Sequence, residues 1–157
     1  MTLDVDEREV AEYRAAAEEC ACTGFRRASR AVTQRFDEAL EPTGLRSTQL
    51  SILVWVGAMA PATVAKLSRE LVMDASTVNR NLKPLIAKGL VDKGVPDGRG
   101  RGRLSLSLTD AGKEVIKDAI PLWREAQQVF VSALGEDIWP GLHSGLDRAV
   151  SAARDRR

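Results

Sequence analysis

Histidine, cysteine and tyrosine are scarce in this chain of 157 residues, which contains one histidine, two cysteines and one tyrosine. Two cysteines are too few for the disulfide framework of a small secreted domain. The single histidine, His143, is far in the sequence from any candidate nucleophile, and the chain has no metal-ligand spacing, phosphate-binding glycine loop or paired-carboxylate motif. These absences argue against an enzyme and predict neither a metal nor a cofactor.

Long hydrophobic runs are also missing from the sequence. The longest apolar-rich stretch, "LSILVWVGAMA", is too short to span a bilayer, and no apolar segment follows a basic start as it does in a signal peptide. We therefore expect a soluble, cytoplasmic protein without a membrane partner. Its hydrophobic content of 44% is enough for the core of a single domain.

The formal net charge is only +1, but the charges are unevenly distributed. Residues 1–20 hold seven acidic residues against two basic ones, whereas residues 76–103 hold seven basic residues against two acidic ones. Such an asymmetry says more about partners than the total charge does. The basic segment predicts a contact with nucleic acid.

Hydrophobic periodicity predicts a chain that is helical at both ends. Residues 1–9 are interpreted as an acidic tail, and apolar steps of three and four residues predict one helix over 10–41. Pro42 and Gly44 end that helix. A second helix, for which Ser47 is the expected N-cap, is apolar almost all round and so belongs in the core.

Two short helices joined by a tight turn follow, and they match the helix-turn-helix pattern. Thr63 and Asp74 are suitable N-caps for them. The second helix carries polar residues that can approach DNA, namely Ser76, Thr77, Asn79, Arg80 and Lys83. Asn79 can pair with adenine, Arg80 can pair with guanine or a phosphate, and Lys83 is better placed for a phosphate.

The next segment alternates arginine with glycine in "GRGRGR" and then leucine with serine in "LSLSL". The residues concerned are Arg99, Arg101 and Arg103, followed by Leu104, Leu106 and Leu108. Because alternate side chains of a strand point to opposite faces, the leucines can pack on the helices while the arginines face outward. Glycine permits a close approach to a backbone, and a narrow minor groove attracts arginine. We interpret this hairpin as a wing that contacts DNA.

The stretch "LVMDASTVNRNLKPLIAKGLVDKG", followed by "LSLTDAG", resembles the MarR family of winged helix-turn-helix regulators. The resemblance implies a mainly α fold with a small β-hairpin wing, and a homodimer that binds a pseudo-palindromic operator in double-stranded DNA, commonly as a repressor. It divides the chain into an acidic tail, an N-terminal dimerisation helix, a winged helix-turn-helix domain and C-terminal dimerisation helices, at 1–9, 10–41, 46–109 and 110–157. The family's wing carries a tight Asp-x-Arg motif, whereas "DGRGRGR" is longer. The resemblance therefore does not identify which of the three arginines enters the groove.

Family members are commonly released from DNA by a small molecule or an oxidant, which makes Cys20, Cys22 and Trp55 candidate sensor residues. Some members sense peroxides through a cysteine near the start of the first helix with help from tyrosines, and here Tyr13 lies two turns before Cys20. On one helix the two cysteines point to different sides and cannot form a disulfide without local unwinding. Arg26 and Arg27, one turn from Cys22, favour a reactive thiol, whereas ordinary packing of two small residues is the alternative.

Two further alternatives remain open at this stage. Release from DNA can instead follow from a small anion, aromatic in character, that binds between the first two helices near Trp55. The alternative to a DNA-binding regulator is a helical interaction or scaffold protein, which leaves the basic wing unexplained.

Overall fold

A computed structural model describes residues 6–94 and 104–155, and it is mainly helical with one two-stranded antiparallel hairpin, as predicted. In chain order the elements are α1 (Glu7–Glu19), α2 (Ala21–Leu40), a short 3-10 helix (Glu41–Thr43), α3 (Ser47–Ala58), α4 (Val64–Glu70), α5 (Ala75–Ala87), β1 (Val91–Gly94), β2 (Ser105–Leu108), α6 (Asp110–Leu134) and α7 (Trp139–Arg154). Within the described part of the chain, none of these helices has both the length and the hydropathy to cross a membrane.

The N-terminal helical region begins earlier than predicted and is not continuous. The Asp6 carboxylate accepts a hydrogen bond from the Arg8 amide at 3.0 Å, so that α1 begins at Glu7. At Cys20 the backbone is extended, with φ −67° and ψ 109°, and the chain starts again as α2. The prediction of one helix over 10–41 is therefore wrong, because the apolar steps of three and four residues continue across the break at Cys20.

The end of α2 and the start of α3 are joined by a long-range hydrogen bond. Pro42 lies in the 3-10 helix and Gly44 adopts φ 65°, so the helix ends where the sequence predicted. The expectation that Ser47 caps α3 is wrong by one residue, since Arg46 is the N-cap. The Ser47 amide instead donates to Asp37 Oδ1 of α2 at 2.6 Å, which satisfies one of the free N–H groups of the first turn.

The hydrophobic core lies where α3, α4, α5 and the hairpin meet α6 and the end of α2. Its largest fully buried side chains are Leu40, Ile52, Leu53, Val56, Leu67, Val78, Leu85, Val91 and Leu106. α3 is not buried all round as expected, because Val54 and Trp55 remain 39% and 38% exposed on the side that faces a cavity.

The helix-turn-helix unit is formed by α4, the turn at residues 71–73 and α5. Both predicted caps are confirmed: Thr63 accepts from the Lys66 amide at 3.2 Å, and Asp74 accepts from the Thr77 amide at 2.8 Å. In the turn, the exposed Val72 has φ 53°, a left-handed conformation that is unfavourable for a β-branched residue. This conformation persists only because the surrounding structure holds it.

The hairpin packs on the core through its inner face. β1 and β2 pair in antiparallel register with Val91 opposite Leu108. Leu106 is buried and Leu108 is half-buried, as the alternation predicts. Leu104 is 52% exposed and precedes β2, so the prediction that it also anchors the wing is wrong.

The "TDAG" segment joins the hairpin to α6, and it brings the first turn of α6 close to the backbone that precedes β1. The Thr109 hydroxyl donates to the Gly89 carbonyl at 2.7 Å and accepts from the Gly112 amide at 2.9 Å, so that Thr109 caps α6. A Cβ atom added to Gly112 would lie 2.1 Å from the Leu90 carbonyl oxygen. This position therefore requires glycine, because no side chain fits between α6 and the start of β1.

We expect Gly112→Ala to lower the free energy of unfolding by about 2–3 kcal/mol, because the new methyl group displaces backbone rather than a flexible side chain. Denaturant unfolding followed by circular dichroism measures the change. Gly24→Ala is the matched control, since a Cβ there meets no atom within 4 Å, and it should raise stability by about 0.5–1 kcal/mol. Equal effects at the two positions would contradict this account of the junction.

Candidate nucleic-acid interface

The outward face of α5 carries all five helix residues that the sequence nominated as DNA contacts. The opposite face of the helix buries Val78, Leu82 and Leu85 in the core, which fixes the orientation of the outward face. Four of the five nominated residues are exposed and Thr77 is half-buried, the full set being Ser76, Thr77, Asn79, Arg80 and Lys83. The packing of α5 thus presents a polar and basic surface to solvent.

The first turn of α5 is organised around Asp74. Its carboxylate accepts from the Ser76 hydroxyl at 2.5 Å and from the Thr77 hydroxyl at 2.7 Å, as well as from the Thr77 amide. Hydrogen bonds from Ser76 and Thr77 hold the pKa of Asp74 well below its ordinary value, so the group is ionised at neutral pH. Both hydroxyl protons are donated inward, and the hydroxyl lone pairs remain available to an external donor.

Asn79 and two lysines surround a shallow pocket of about 310 Å³ between α5 and the hairpin. The Asn79 side-chain nitrogen donates to the Ala75 carbonyl at 2.8 Å, which leaves the amide oxygen and one N–H for another partner. Lys83 of α5 and Lys93 of β1 line the same pocket. Lys93 was not among the nominated contacts, although its place in the basic segment was a signal that could have identified it.

The three wing arginines, Arg99, Arg101 and Arg103, lie outside the described residues, between β1 and β2. Their predicted contact with the minor groove remains a prediction from the sequence. The hairpin strands themselves pack against the same unit as α5, through the buried Val91 and Leu106. The wing and α5 are thus parts of one unit.

The two cysteines do not share a helix, which corrects the sequence interpretation. Cys20 is the N-cap residue of α2 and is half-buried, while Cys22 is exposed within the first turn of that helix. Hydrogen bonds with the Thr23 side chain and backbone, assisted by the charge of Arg26, lower the pKa of the Cys20 thiol. Within residues 6–94 and 104–155, no three side chains of the metal-ligating types come together.

Trp55, the third candidate sensor residue, lines a cavity of about 600 Å³. The cavity lies between α2, α3 and α6, with residues of the helix-turn-helix turn in its wall. The sequence suggested a site between the first two predicted helices alone. The contribution of α6 and of the turn could not be read from periodicity, because it depends on tertiary packing.

Comparisons with known proteins agree with this geometry. A model of the MarR family matches residues 43–102. The HTH-type transcriptional regulator YwaE of Bacillus subtilis is 30% identical over 116 residues, which make up 72% of this chain and 66% of YwaE, just under two thirds of its length. The transcriptional regulator MosR of M. tuberculosis is 30% identical and superposes with a TM-score of 0.77, over 90% of this chain and 100% of MosR. A structure of MosR in complex with DNA, at 31% identity, gives a TM-score of 0.71 over 87% of this chain and 99% of that one.

The two structural matches extend over most of the chain, while the family match, at residues 43–102, includes α3, α4, α5 and β1. They give no support to the alternative of a helical scaffold protein that does not bind DNA. Members of this group are transcriptional regulators rather than enzymes. The cap at Asp74, the polar face of α5, the hairpin and the "TDAG" junction are the features of a winged helix-turn-helix, and the chain belongs to the MarR family of DNA-binding transcriptional regulators.

Proposed function

We propose that the protein is a cytoplasmic, homodimeric repressor that binds a pseudo-palindromic operator. Two copies of α5 enter successive major grooves, with half-sites about 10–10.5 bp apart or a multiple of that spacing. The observation that carries the proposal is the polar, exposed face of α5 beside the hairpin that bears the basic wing segment. The DNA complex of MosR, a relative at 31% identity, supports DNA as the partner.

The terminal helices support the dimer because they expose apolar side chains at helical spacing. An apolar stripe runs along α7 at four-residue steps, beginning with the residue before the helix. Its members are between 37% and 51% exposed and are Ile138, Leu142, Leu146 and Val150. α1 adds the exposed Val10 and Tyr13. An apolar stripe of this kind is stable in water only when another surface covers it, and a second copy of the chain supplies that surface.

Light scattering at micromolar concentration should give the mass of a dimer for the wild-type protein. Leu142→Glu combined with Leu146→Glu places charges on the apolar stripe and should give monomers, because two carboxylates are costly to bury in an interface. Ser144→Glu, on the other side of the same exposed helix, is the matched control and should remain dimeric. A monomeric wild type, or a dimeric double variant, would contradict the assignment of α7.

DNA recognition divides between α5 and the wing. We expect Asn79→Ala to reduce discrimination between the operator and random DNA by about 1–3 kcal/mol, because Asn79 contacts a base edge. Arg101→Ala should weaken binding to every sequence and reduce the slope of log affinity against log salt by about one unit, because its positive charge offsets phosphate charge whatever the base sequence. The measurement is a salt series on a selected operator and on a random duplex. An equal loss on both duplexes for Asn79→Ala would show that the residue does not read a base.

Release from DNA by thiol oxidation centres on Cys20. Its thiol has a lowered pKa and lies at the junction between α1, which carries part of the proposed dimer surface, and α2, which packs on α6. The thiolate attacks one oxygen of hydrogen peroxide and the O–O bond breaks, which gives a sulfenic acid and releases hydroxide, which takes a proton from solvent to form water. The added oxygen at this junction changes how α1 meets α2, and so alters the spacing of the two α5 helices in the dimer.

Peroxide should therefore dissociate the wild-type protein from its operator and leave Cys20→Ser bound. Cys22→Ser is the matched control and should still be released, since Cys20 is intact in it. Fluorescence anisotropy of a labelled operator, before and after addition of peroxide, gives the result. Retention of the wild type, or equal release of wild type and Cys20→Ser, would exclude the cysteine as the sensor and leave a small molecule near Trp55 as the remaining route.

A further inference from the structure

The helix α7 contacts its own protomer near both ends. It has no buried residue and lies outside the hydrophobic core. At its start, the Trp139 ring meets the Phe130 ring of α6 edge to face, with the ring centroids 5.9 Å apart. At its end, the Arg154 guanidinium donates a hydrogen bond to the Arg69 carbonyl of α4. This hydrogen bond joins α7, which carries the proposed dimer surface, to the helix-turn-helix unit.

The Arg69 carbonyl lies in the last turn of α4, where the carbonyl groups have no partner within the helix. The neighbouring Ser68 carbonyl is bonded by the turn itself, because it accepts from the Met73 amide at 3.0 Å. That bond encloses Val72, whose left-handed conformation is common in the residue just after a helix. Arg154 supplies the donor for the Arg69 carbonyl, and its positive charge suits the negative end of the helix dipole.

The end of α4 in turn positions α5. Leu67 of α4 and Val78 of α5 are fully buried in the same core cluster, where the two helices pack against each other. Only a short turn separates Arg69 from Asp74, the residue that caps α5. Because a close-packed interior transmits small displacements, a shift at the end of α4 also moves α5.

The bond to α4 lies on the side of α7 that carries the apolar stripe. Arg154 follows Val150 by four residues, and residues four apart lie on the same side of a helix. A second protomer that packs on this stripe holds the helix whose end carries Arg154. The position of α5 relative to the partner protomer then depends on the contact between Arg154 and α4.

We propose that Arg154 is a positioning residue, which holds α5 at a fixed position relative to the dimer surface and so makes the dimer selective for one spacing of the operator half-sites. The selectivity rests on the proposed function, because it requires a dimer whose two α5 helices read two half-sites. The bond between Arg154 and α4 concerns one protomer only. The two parts of the proposal are therefore tested separately.

Hydrogen–deuterium exchange of the protein without DNA tests the effect of the bond on α4. Arg154→Ala should speed amide exchange in the segment 68–74 about threefold, because the end of α4 opens more often without its charged hydrogen-bond partner. Exchange in α3 should not change, which separates a local effect from a general loss of stability. Arg148→Ala is the matched control and should leave both segments unchanged, since Arg148 is exposed on the opposite side of α7.

Spacing selectivity is measured as the ratio of two affinities, one for the selected operator and one for the same operator with one base pair added between its half-sites. The added base pair moves one half-site by about 3.4 Å and turns it by about 35°, which a dimer with fixed α5 helices does not follow without strain. Arg154→Ala should lower this ratio about fivefold, because α5 is then freer to adapt to the altered spacing. Arg148→Ala should keep the wild-type ratio.

A ratio that is unchanged in Arg154→Ala, or lowered equally in Arg148→Ala, would overturn the role of Arg154 in spacing. Unchanged exchange in the segment 68–74 would overturn the effect of Arg154 on α4. Loss of a positive charge near DNA does not imitate the expected result, because it weakens binding to both duplexes alike and cancels from the ratio. If exchange responds as expected but the wild-type protein shows no affinity for any selected duplex, the proposed function fails while the bond between α7 and α4 stands.

Discussion

The approach of Gly112 to the Leu90 carbonyl sets the distance between α6 and the hairpin, and the arrangement of the proposed DNA-reading surface depends on that distance. Thr109 spans the same junction. Its hydroxyl forms one hydrogen bond with Gly89, just after α5, and another with Gly112 in the first turn of α6. One side of the junction leads to α5 and the wing, and the other leads along α6 towards α7. The close approach of Gly112 and the hydrogen bonds of Thr109 thus fix the proposed DNA-reading elements relative to the helix that carries the chain towards its proposed dimer surface.

Local signals in the sequence predicted the helix-turn-helix well. The caps at Thr63 and Asp74 depend on hydrogen bonds that span three residues, so the local sequence is enough to predict them. α5 continues through Pro84, and the local signal of this continuity is the apolar pattern, which resumes immediately after the proline. The polar face of α5 was predictable for the same reason, since a helix that buries one stripe must expose the other.

Features that depend on distant partners could not be predicted in this way. α3 begins one residue earlier than predicted, and Asp37, ten residues before Ser47, accepts the hydrogen bond from the Ser47 amide at the start of the helix. The break at Cys20 leaves the apolar period unchanged and is invisible to a periodicity argument. The cavity beside the exposed side of α3 is lined by α2, α3 and α6 together, so the sequence of α3 alone could not predict it.

In the proposed complex, the ionised Asp74 carboxylate lies on a surface that approaches a polyanion. Its charge repels the phosphates of every sequence alike. In contrast, the Ser76 and Thr77 hydroxyls that it orients can accept hydrogen bonds only from a duplex that offers donors in register. Repulsion that is independent of sequence shortens each encounter with random DNA. The residue that begins the reading helix therefore also limits the time the protein spends on the rest of the chromosome, which leaves more of it free to search for its operator.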